Sequence, residues 1–397
     1  MTETDPHFQA LLRHLDGRRA GWRAAFRRLR DGLRGRLAAL RANRDTVTAE
    51  PCDVLLIHPS EKSRRLNRKA PLLASLRQRG LVVLETVSDG ESRALRERRL
   101  RPPPRPVPWP LYISAARAAD LLARYRPRVI LTERNGWPVS TFLRAFRPAE
   151  TRVVHVAHGI LSDQSGRLRY HDYDYYALFG QSSLDYLRAL DHGFGETTAF
   201  FAGPYFPLPA PRQRPGDART LLFLGAGPGE EDSDAYRNAC RLAREWLRAH
   251  PGWRMKVRLH PRGGGAPWRD LARTDPALDL RPGDESLEQA LDGCQAVWCG
   301  YTTAIIDCAV ARVPVVVLDR SRDYFQCDRH GVPRVATVRE LELAMDEVVE
   351  TPALCSHRMA AFARYHIEHA DDPVSSLADR IGALVAGHEP RDGFRIS

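Results

Sequence analysis

The chain contains no run of about 18 apolar residues, so hydropathy gives it no membrane-spanning helix. It contains no Cys-x-x-Cys pair. Its seven cysteines (52, 240, 294, 299, 308, 327, 355) are odd in number and several lie in apolar segments. That is the pattern of buried free thiols in a reducing cytoplasm, not of disulfides or a zinc site. The histidines at 7, 14, 192, 330 and 366 have no ligand spacing, and no repeat recurs at a fixed period. No Asp-x-Asp pair closes a strand, so no metal is expected: Asp172-x-Asp174 is embedded in tyrosines, and Asp232-x-Asp234 opens a helix. The start, Met1 to Pro6, lacks the charged end and apolar core of a signal peptide. What is present, 397 residues of which 43% are hydrophobic, suffices for two ordinary cores, and two domains of a cytoplasmic protein are expected.

Charge is concentrated at one end. The formal net charge is +11, and between Arg13 and Arg44 eleven arginines face only Asp16 and Asp31. In the same segment Trp22, Phe26, Leu29, Leu33, Leu37 and Leu40 recur at intervals of three and four, which predicts one amphipathic helix. Its apolar stripe has two uses. It packs on the protein body with the arginines solvated, or residues 13–44 lie on an anionic membrane surface or dock a membrane-bound partner. The second use would make the protein peripheral on the inner membrane, with residues 1–45 dispensable for catalysis. Nucleic acid is not expected as a partner, because no aromatic-interleaved basic motif accompanies the arginines.

Beyond this segment, short apolar strands alternate with helices. Val54–Ile57, Leu81–Leu84, Val129–Leu131 and Val153–Ala157 read as strands, with helices over Ala70–Arg79, Ser114–Tyr125 and up to Phe146. The proline run from Arg101 to Pro110 reads as a surface loop. Pro204 to Pro215 carries five prolines and is the expected hinge. A second set then follows, with strands at Thr220–Leu224, Met255–Leu259, Ala296–Cys299 and Pro314–Leu318, and final helices over Val338–Glu350 and Ser356–Ala386. Alternation of this kind implies parallel sheets covered on both faces. The expected division is a basic helix at 1–50, a Rossmann-like domain at 51–205 and a second at 216–397.

The richest segment is Lys256–Asp319. One strand ends in His260-Pro261 before Gly263-Gly-Gly265; another ends in Gly300-Tyr-Thr-Thr303 before a helix over Ala304–Ala311. Strand C-termini line the ligand crevice of an open parallel sheet, and hydroxyls at a helix start favour phosphate. The site of a nucleotide-dependent transferase is the natural reading. Taken singly, each residue has a structural alternative: His260 as a strand end, Thr302 as a helix cap, His58-Pro59 as a structural turn, and Tyr170–Tyr176 as aromatic core.

The ordered set of His158-Gly159, Ala177–Gly180, Ala202-Gly203-Pro204, His260-Pro261 and Tyr301-Thr302-Thr303, with 102 residues from 158 to 260 and 42 from 260 to 302, resembles a known group. It is similar to the GT-B fold transferases of bacterial surface polysaccharide synthesis. Nearest in pattern are the capsule-type Kdo and sialic-acid transferases and the CDP-glycerol glycerophosphotransferases of teichoic-acid synthesis. The resemblance covers roughly 53–387 and implies two doubly wound domains facing a cleft. It implies a metal-independent glycosyltransferase without a cofactor, using a CMP- or CDP-linked donor as substrate and a glycan or lipid-linked acceptor. A glycerophosphotransferase, a non-catalytic assembly subunit and an epimerase of similar fold are the alternatives.

On that resemblance His260 contacts the donor phosphate, and Thr302 and Thr303 stand where those families carry a Ser-Ser or Ser-Thr pair. Glu285 is a candidate for the ribose hydroxyls, with Glu288 as rival, and Asp307 matches an acidic position after the hydroxyl pair. Gly227, Arg258, Pro261 and Tyr301 complete the donor side. His158 and Gly159 belong to the acceptor side. The base that takes the acceptor proton is left among Glu133, Glu230 and Glu231, a step worth about 10²–10⁴-fold. Donors preorganised at the leaving phosphate are worth on the order of a hundredfold each.

Overall fold

A computed structural model describes residues 5–17, 21–45, 48–88, 90–161, 166–212, 219–281 and 285–396. The chain divides into two compact units, Met1–Pro207 with Asp372–Ser397, and Leu208–Asp371.

In the first unit, α1 (Pro6–Gly17) and α2 (Trp22–Arg41) lead to β1 (Val54–His58), α3 (Glu61–Leu66), α4 (Ala70–Gln78), β2 (Val83–Val87), α5 (Glu91–Arg96) and α6 (Tyr112–Tyr125). These are followed by β3 (Val129–Thr132), α7 (Pro138–Phe146), β4 (Arg152–Val156), β5 (Tyr175–Leu178), α8 (Gln181–Ala189) and β6 (Thr198–Phe201). The second unit holds β7 (Thr220–Leu224), α9 (Asp234–Ala249), β8 (Arg254–Arg258), α10 (Ala266–Leu271), β9 (Leu278–Arg281), α11 (Leu287–Leu291), β10 (Ala296–Cys299), α12 (Ala304–Val310), β11 (Val315–Val317), α13 (Val338–Glu350) and α14 (Pro352–His366). The chain then returns to the first unit with α15 (Pro373–Val385) and β12 (Phe394–Arg395).

The first sheet runs β12-β6-β5-β4-β3-β1-β2 and is parallel except for β12. The second runs β11-β10-β7-β8-β9 and is parallel throughout. Strands such as β1 and β10 are buried along their whole length, as expected where helices cover both faces of a sheet. Each sheet reverses its winding once, between β1 and β3 in the first unit and between β7 and β10 in the second. Ligands bind at such points, beyond the strand C-termini.

The N-terminal segment forms two helices rather than one. Phe8, Leu11 and Leu15 of α1 are buried in the core, and His7 bonds the buried Asp172 at 2.9 Å, so α1 is part of the unit and is not dispensable to it. α2 seats a small-residue face. A Cβ on Gly35 would lie 1.9 Å from the Trp109 carbonyl oxygen, and Ala38 is fully buried. Its apolar stripe is therefore not packed on the body: Trp22, Phe26, Leu29, Leu33, Leu37 and Leu40 are all exposed.

The single helix expected over 356–386 is two helices. Pro373 starts α15 with the Asp372 carboxylate accepting from the Ser375 N–H, the usual N-cap chemistry. The apolar face of α15 (Leu377, Ala378, Ile381, Leu384) joins the first unit's core beside Leu72 and Leu76 of α4, and Arg79 bonds Asp379 at 2.7 Å. The boundary expected at 216 lies outside the described residues, and the hinge over 204–215 lies partly outside them. All seven cysteines are buried free thiols.

Candidate functional site

At the β1/β3 reversal of the first unit, polar groups are buried where a core would normally be apolar. β1 ends in His58, which is 3% exposed at its side chain; its Nε2 lies 2.9 Å from Glu85 Oε2 on β2, and its Nδ1 lies 3.8 Å from Glu133 Oε1 just beyond β3. Lys69, at the start of α4, donates to Glu133 Oε2 at 2.5 Å, and the two side chains are 2% and 6% exposed. The Lys69 ammonium also lies 3.8 Å from the centre of the Tyr205 ring, a cation–π contact. His158, beyond β4, turns Nδ1 toward Glu133 Oε2 at 3.8 Å and leaves 65% of its side chain exposed.

Burial alone would raise the Glu133 carboxyl. The His158 imidazole and the Lys69 ammonium outweigh it and pull the group down to about 2. Burial lowers the Lys69 pKa, and Glu133 opposes that fall. A charged pair whose partners both sit in low dielectric fits both directions. Glu133 is thus a poor direct base: it is enclosed, paired and weakly basic. His158 is the most exposed group of this cluster, with one nitrogen facing a carboxylate. Gly159 follows it, with nothing within 4 Å of where a Cβ would stand.

The second cluster surrounds the β7/β10 reversal. Gly225 donates its N–H to the Arg258 carbonyl at 2.9 Å, bringing the loop after β7 against the end of β8. A Cβ on Gly227 would stand 3.5 Å from the His260 ring, in ordinary van der Waals contact, so this loop lies beside the imidazole. The Arg262 N–H donates to His260 Nδ1 at 3.1 Å, which places the proton of a neutral imidazole on Nε2. Pro261 and Arg262 turn the chain into Gly263-Gly-Gly265. That loop is held by Glu231, whose two oxygens accept from the Gly264 and Gly265 N–H groups at 2.7 and 2.8 Å. Glu231 therefore anchors the loop that follows His260, while Glu230 is exposed in the turn after β7.

Beyond β10, the other neighbour of β7, Thr302 Oγ1 accepts from the Ala304 N–H at 3.4 Å, and Thr303 caps α12 without a side-chain bond. Tyr301 stacks on Phe325 at 5.5 Å and meets Tyr324 at 4.2 Å, forming an aromatic wall. Asp307 in α12 is driven up to about 7 by burial, with Arg258 opposing. Arg258 donates twice to the Glu285 carbonyl, at 2.8 and 3.0 Å. The Glu285 carboxylate is engaged by Arg281 at 2.6 Å, so it is not poised for a ribose. Glu288 lies in the first turn of α11.

The structure thus brings together Gly227, Glu231, His260 and Pro261, and places Tyr301, Thr302, Thr303 and Asp307 at the adjoining strand end. It sets Glu133 beside His158 in the first unit. The sequence reading passed over Lys69 and Glu85 and took His58 as structural. One signal was available: Lys69 is one of three lysines, at 62, 69 and 256, in a chain of 60 basic residues. Asp172 and Asp174 are held by His7, Arg144 and Arg147. Tyr170, Tyr173 and Tyr176 are core.

No family model and no curated protein matches the chain. Among solved structures it is similar to Staphylococcus aureus MnaA in complex with UDP, with 12% identity and a TM-score of 0.54, covering 87% of this chain and 100% of that one. It is also similar to the UDP-GlcNAc 2-epimerase of Neisseria meningitidis bound to UDP-GlcNAc, with 10% identity, a TM-score of 0.50, and coverage of 84% and 100%. The corresponding enzyme of Methanocaldococcus jannaschii matches with 10% identity, a TM-score of 0.50, and coverage of 84% and 99%. At these identities the likeness defines the fold: two α/β units with parallel sheets, the GT-B architecture.

Proposed function

We propose that the protein is a glycosyltransferase of surface-polysaccharide synthesis, using a nucleotide-activated sugar. The observation that carries this is the second unit's strand-end cluster, where the His260 Nε2–H, two threonine hydroxyls and a glycine loop sit around one sheet reversal. Such donors suit a phosphate whose negative charge grows as the bond to the anomeric carbon breaks. The Tyr301–Tyr324–Phe325 wall suits a base. The resemblance in motif order favours a CMP-linked donor, and a CDP-linked glycerol donor would use the same phosphate contacts. Two of the fold neighbours hold UDP or UDP-GlcNAc, which keeps the pyrimidine but changes the base.

In the reaction the acceptor hydroxyl oxygen attacks the donor's anomeric carbon, the bond to phosphate breaks, and the nucleotide leaves with the electron pair. His158 takes the acceptor proton on Nε2 while the Glu133 carboxylate, 3.8 Å from Nδ1, stabilises the imidazolium that forms, the division of labour of a histidine–carboxylate pair. Glu133 is a positioning residue in this scheme and Lys69 keeps it ionised. His158→Gln is expected to lower kcat on the order of a hundredfold or more.

A nucleotide-sugar epimerase is the second reading, favoured by the enzymes named among the fold neighbours. One experiment separates the two. CMP-, CDP-, UDP- and GDP-linked donors are incubated with and without glycan acceptors, and free nucleotide and sugar configuration are followed by NMR. Acceptor-dependent nucleotide release supports transfer. Inversion at a sugar carbon with no acceptor requirement would replace it with epimerisation.

A further inference from the structure

The exposed stripe of α2 and the arginines around it have no use in the chemistry above. Trp22, Phe26, Leu29, Leu33, Leu37 and Leu40 run the whole length of a 20-residue helix and are 51–84% exposed. Contiguous apolar surface on this scale marks an interaction site. The helix cannot roll to hide it, because Gly35 and Ala38 fix the opposite face against Trp109 and Tyr112 with no room for a larger side chain. At 100° per residue, Arg30, Arg34 and Arg41 border one side of the stripe and Arg36 the other, where its guanidinium lies 5.9 Å from the Trp109 ring. The one acid of the helix, Asp31, is already engaged by Arg27 and Arg30.

The same charge continues past the helix. Arg44, Arg101, Arg126 and Arg128 line a cavity of about 660 Å³ in which Glu150 is the one carboxylate. Among the described residues none of the four makes an ion pair. Arg101 and Arg128 donate only to the backbone carbonyls of Asp45 and Val385.

We propose that α2 lies in the surface of an anionic phospholipid bilayer, its stripe among the acyl chains and its bordering arginines on phosphate, with the arginine cavity taking a headgroup. A wide apolar face flanked by arginine is the pattern of an interfacial helix, and the charge selects an anionic surface over a neutral one. The inference is independent of the transferase reading, since binding is measured without donor or acceptor.

The test is flotation of the full chain with vesicles of phosphatidylcholine alone or with about 30% phosphatidylglycerol, at salt of about 0.05 and 1 M, where the Debye length falls to about 3 Å. Binding is expected on the anionic vesicles at low salt. It should weaken on the order of a hundredfold on neutral vesicles or at high salt. The variant Phe26→Ser/Leu33→Ser/Leu37→Ser should lose binding tenfold or more with an unchanged thermal midpoint, because those side chains touch no core. Arg101→Gln should weaken binding to anionic vesicles and leave neutral ones unaffected. Absence of binding to the anionic vesicles at low salt would overturn the proposal. So would a concentration-dependent dimer that the triple variant dissolves, which would make a second copy the occupant.

Discussion

Replacing Lys69 by Met tests the buried network of the first unit. Lys69 and Glu133 are 2% and 6% exposed and 2.5 Å apart, so the substitution leaves a carboxylate buried without its cation. Breaking such a pair from one side costs about 3–5 kcal/mol. Against the upward pull of burial, the His158 imidazole and Lys69 together hold the Glu133 carboxyl at about 2, below its usual 4.5, so Lys69 carries part of that depression. For a unit of this length the thermal midpoint should fall by about 6–20 °C at pH 7.

The pH dependence carries a sign. Glu133 has a depressed folded pKa, so its contribution is complete above about pH 4.5 and is lost as pH falls from there toward 2. In the variant the carboxyl moves upward, and acid relieves it. The gap between wild type and variant is therefore largest near neutrality and narrows below pH 4.5. Removing both charges, in Lys69→Met/Glu133→Gln, should recover most of the loss. Circular-dichroism melts between pH 2 and 8 measure all three proteins. A penalty at pH 7 below about 1 kcal/mol, the value of a solvent-exposed pair, would refute the reasoning.

Other outcomes follow from the second unit. Glu231→Ala removes both acceptors that hold Gly264 and Gly265, and should weaken nucleotide binding several-fold by calorimetry, with Glu231→Gln recovering part of it because one oxygen remains. Asp307, raised to about 7 by burial against an unfolded value of 3.8, contributes stability that is complete below pH 3.8 and lost as pH rises through 7. Asp307→Asn should flatten the midpoint–pH curve across that window, and an unaltered slope would show that the carboxyl is solvated.

Much of the fold was legible because parallel strands buried on both faces read as unbroken apolar runs, as at Val54–Ile57 and Ala296–Cys299. β9 escaped because Leu278–Arg281 is buried at one position and exposed at the next. Position along the chain also says nothing of which sheet a helix covers: α15 follows the second unit and packs on α4 of the first. The α2 stripe was visible as a period, but its exposure depended on Gly35 and Ala38, whose smallness makes the opposite face the seat. In the site, His260 and the threonines stood out because they end strands. Lys69 and Glu85 did not, since they meet His58 and Glu133 only after four chain segments converge. Glu231 looked like a free base until the Gly264 and Gly265 amides were placed on it.

The most direct measurement of the central claim is nucleotide binding at the second unit's strand ends. Thermal shifts with CMP, CDP, UDP and GDP, on wild type and on His260→Ala, require no knowledge of sugar or acceptor. At a hundredfold excess over Kd a ligand stabilises the native state by about 2.7 kcal/mol, well within reach of the assay. A cytidine nucleotide is predicted to raise the wild-type midpoint, and His260→Ala to lose that response while melting at the wild-type temperature without ligand. Stabilisation by UDP but by neither CMP nor CDP would reassign the donor. No response to any of the four, or an equal response in His260→Ala, would contradict the assignment of this cluster as the donor-phosphate site.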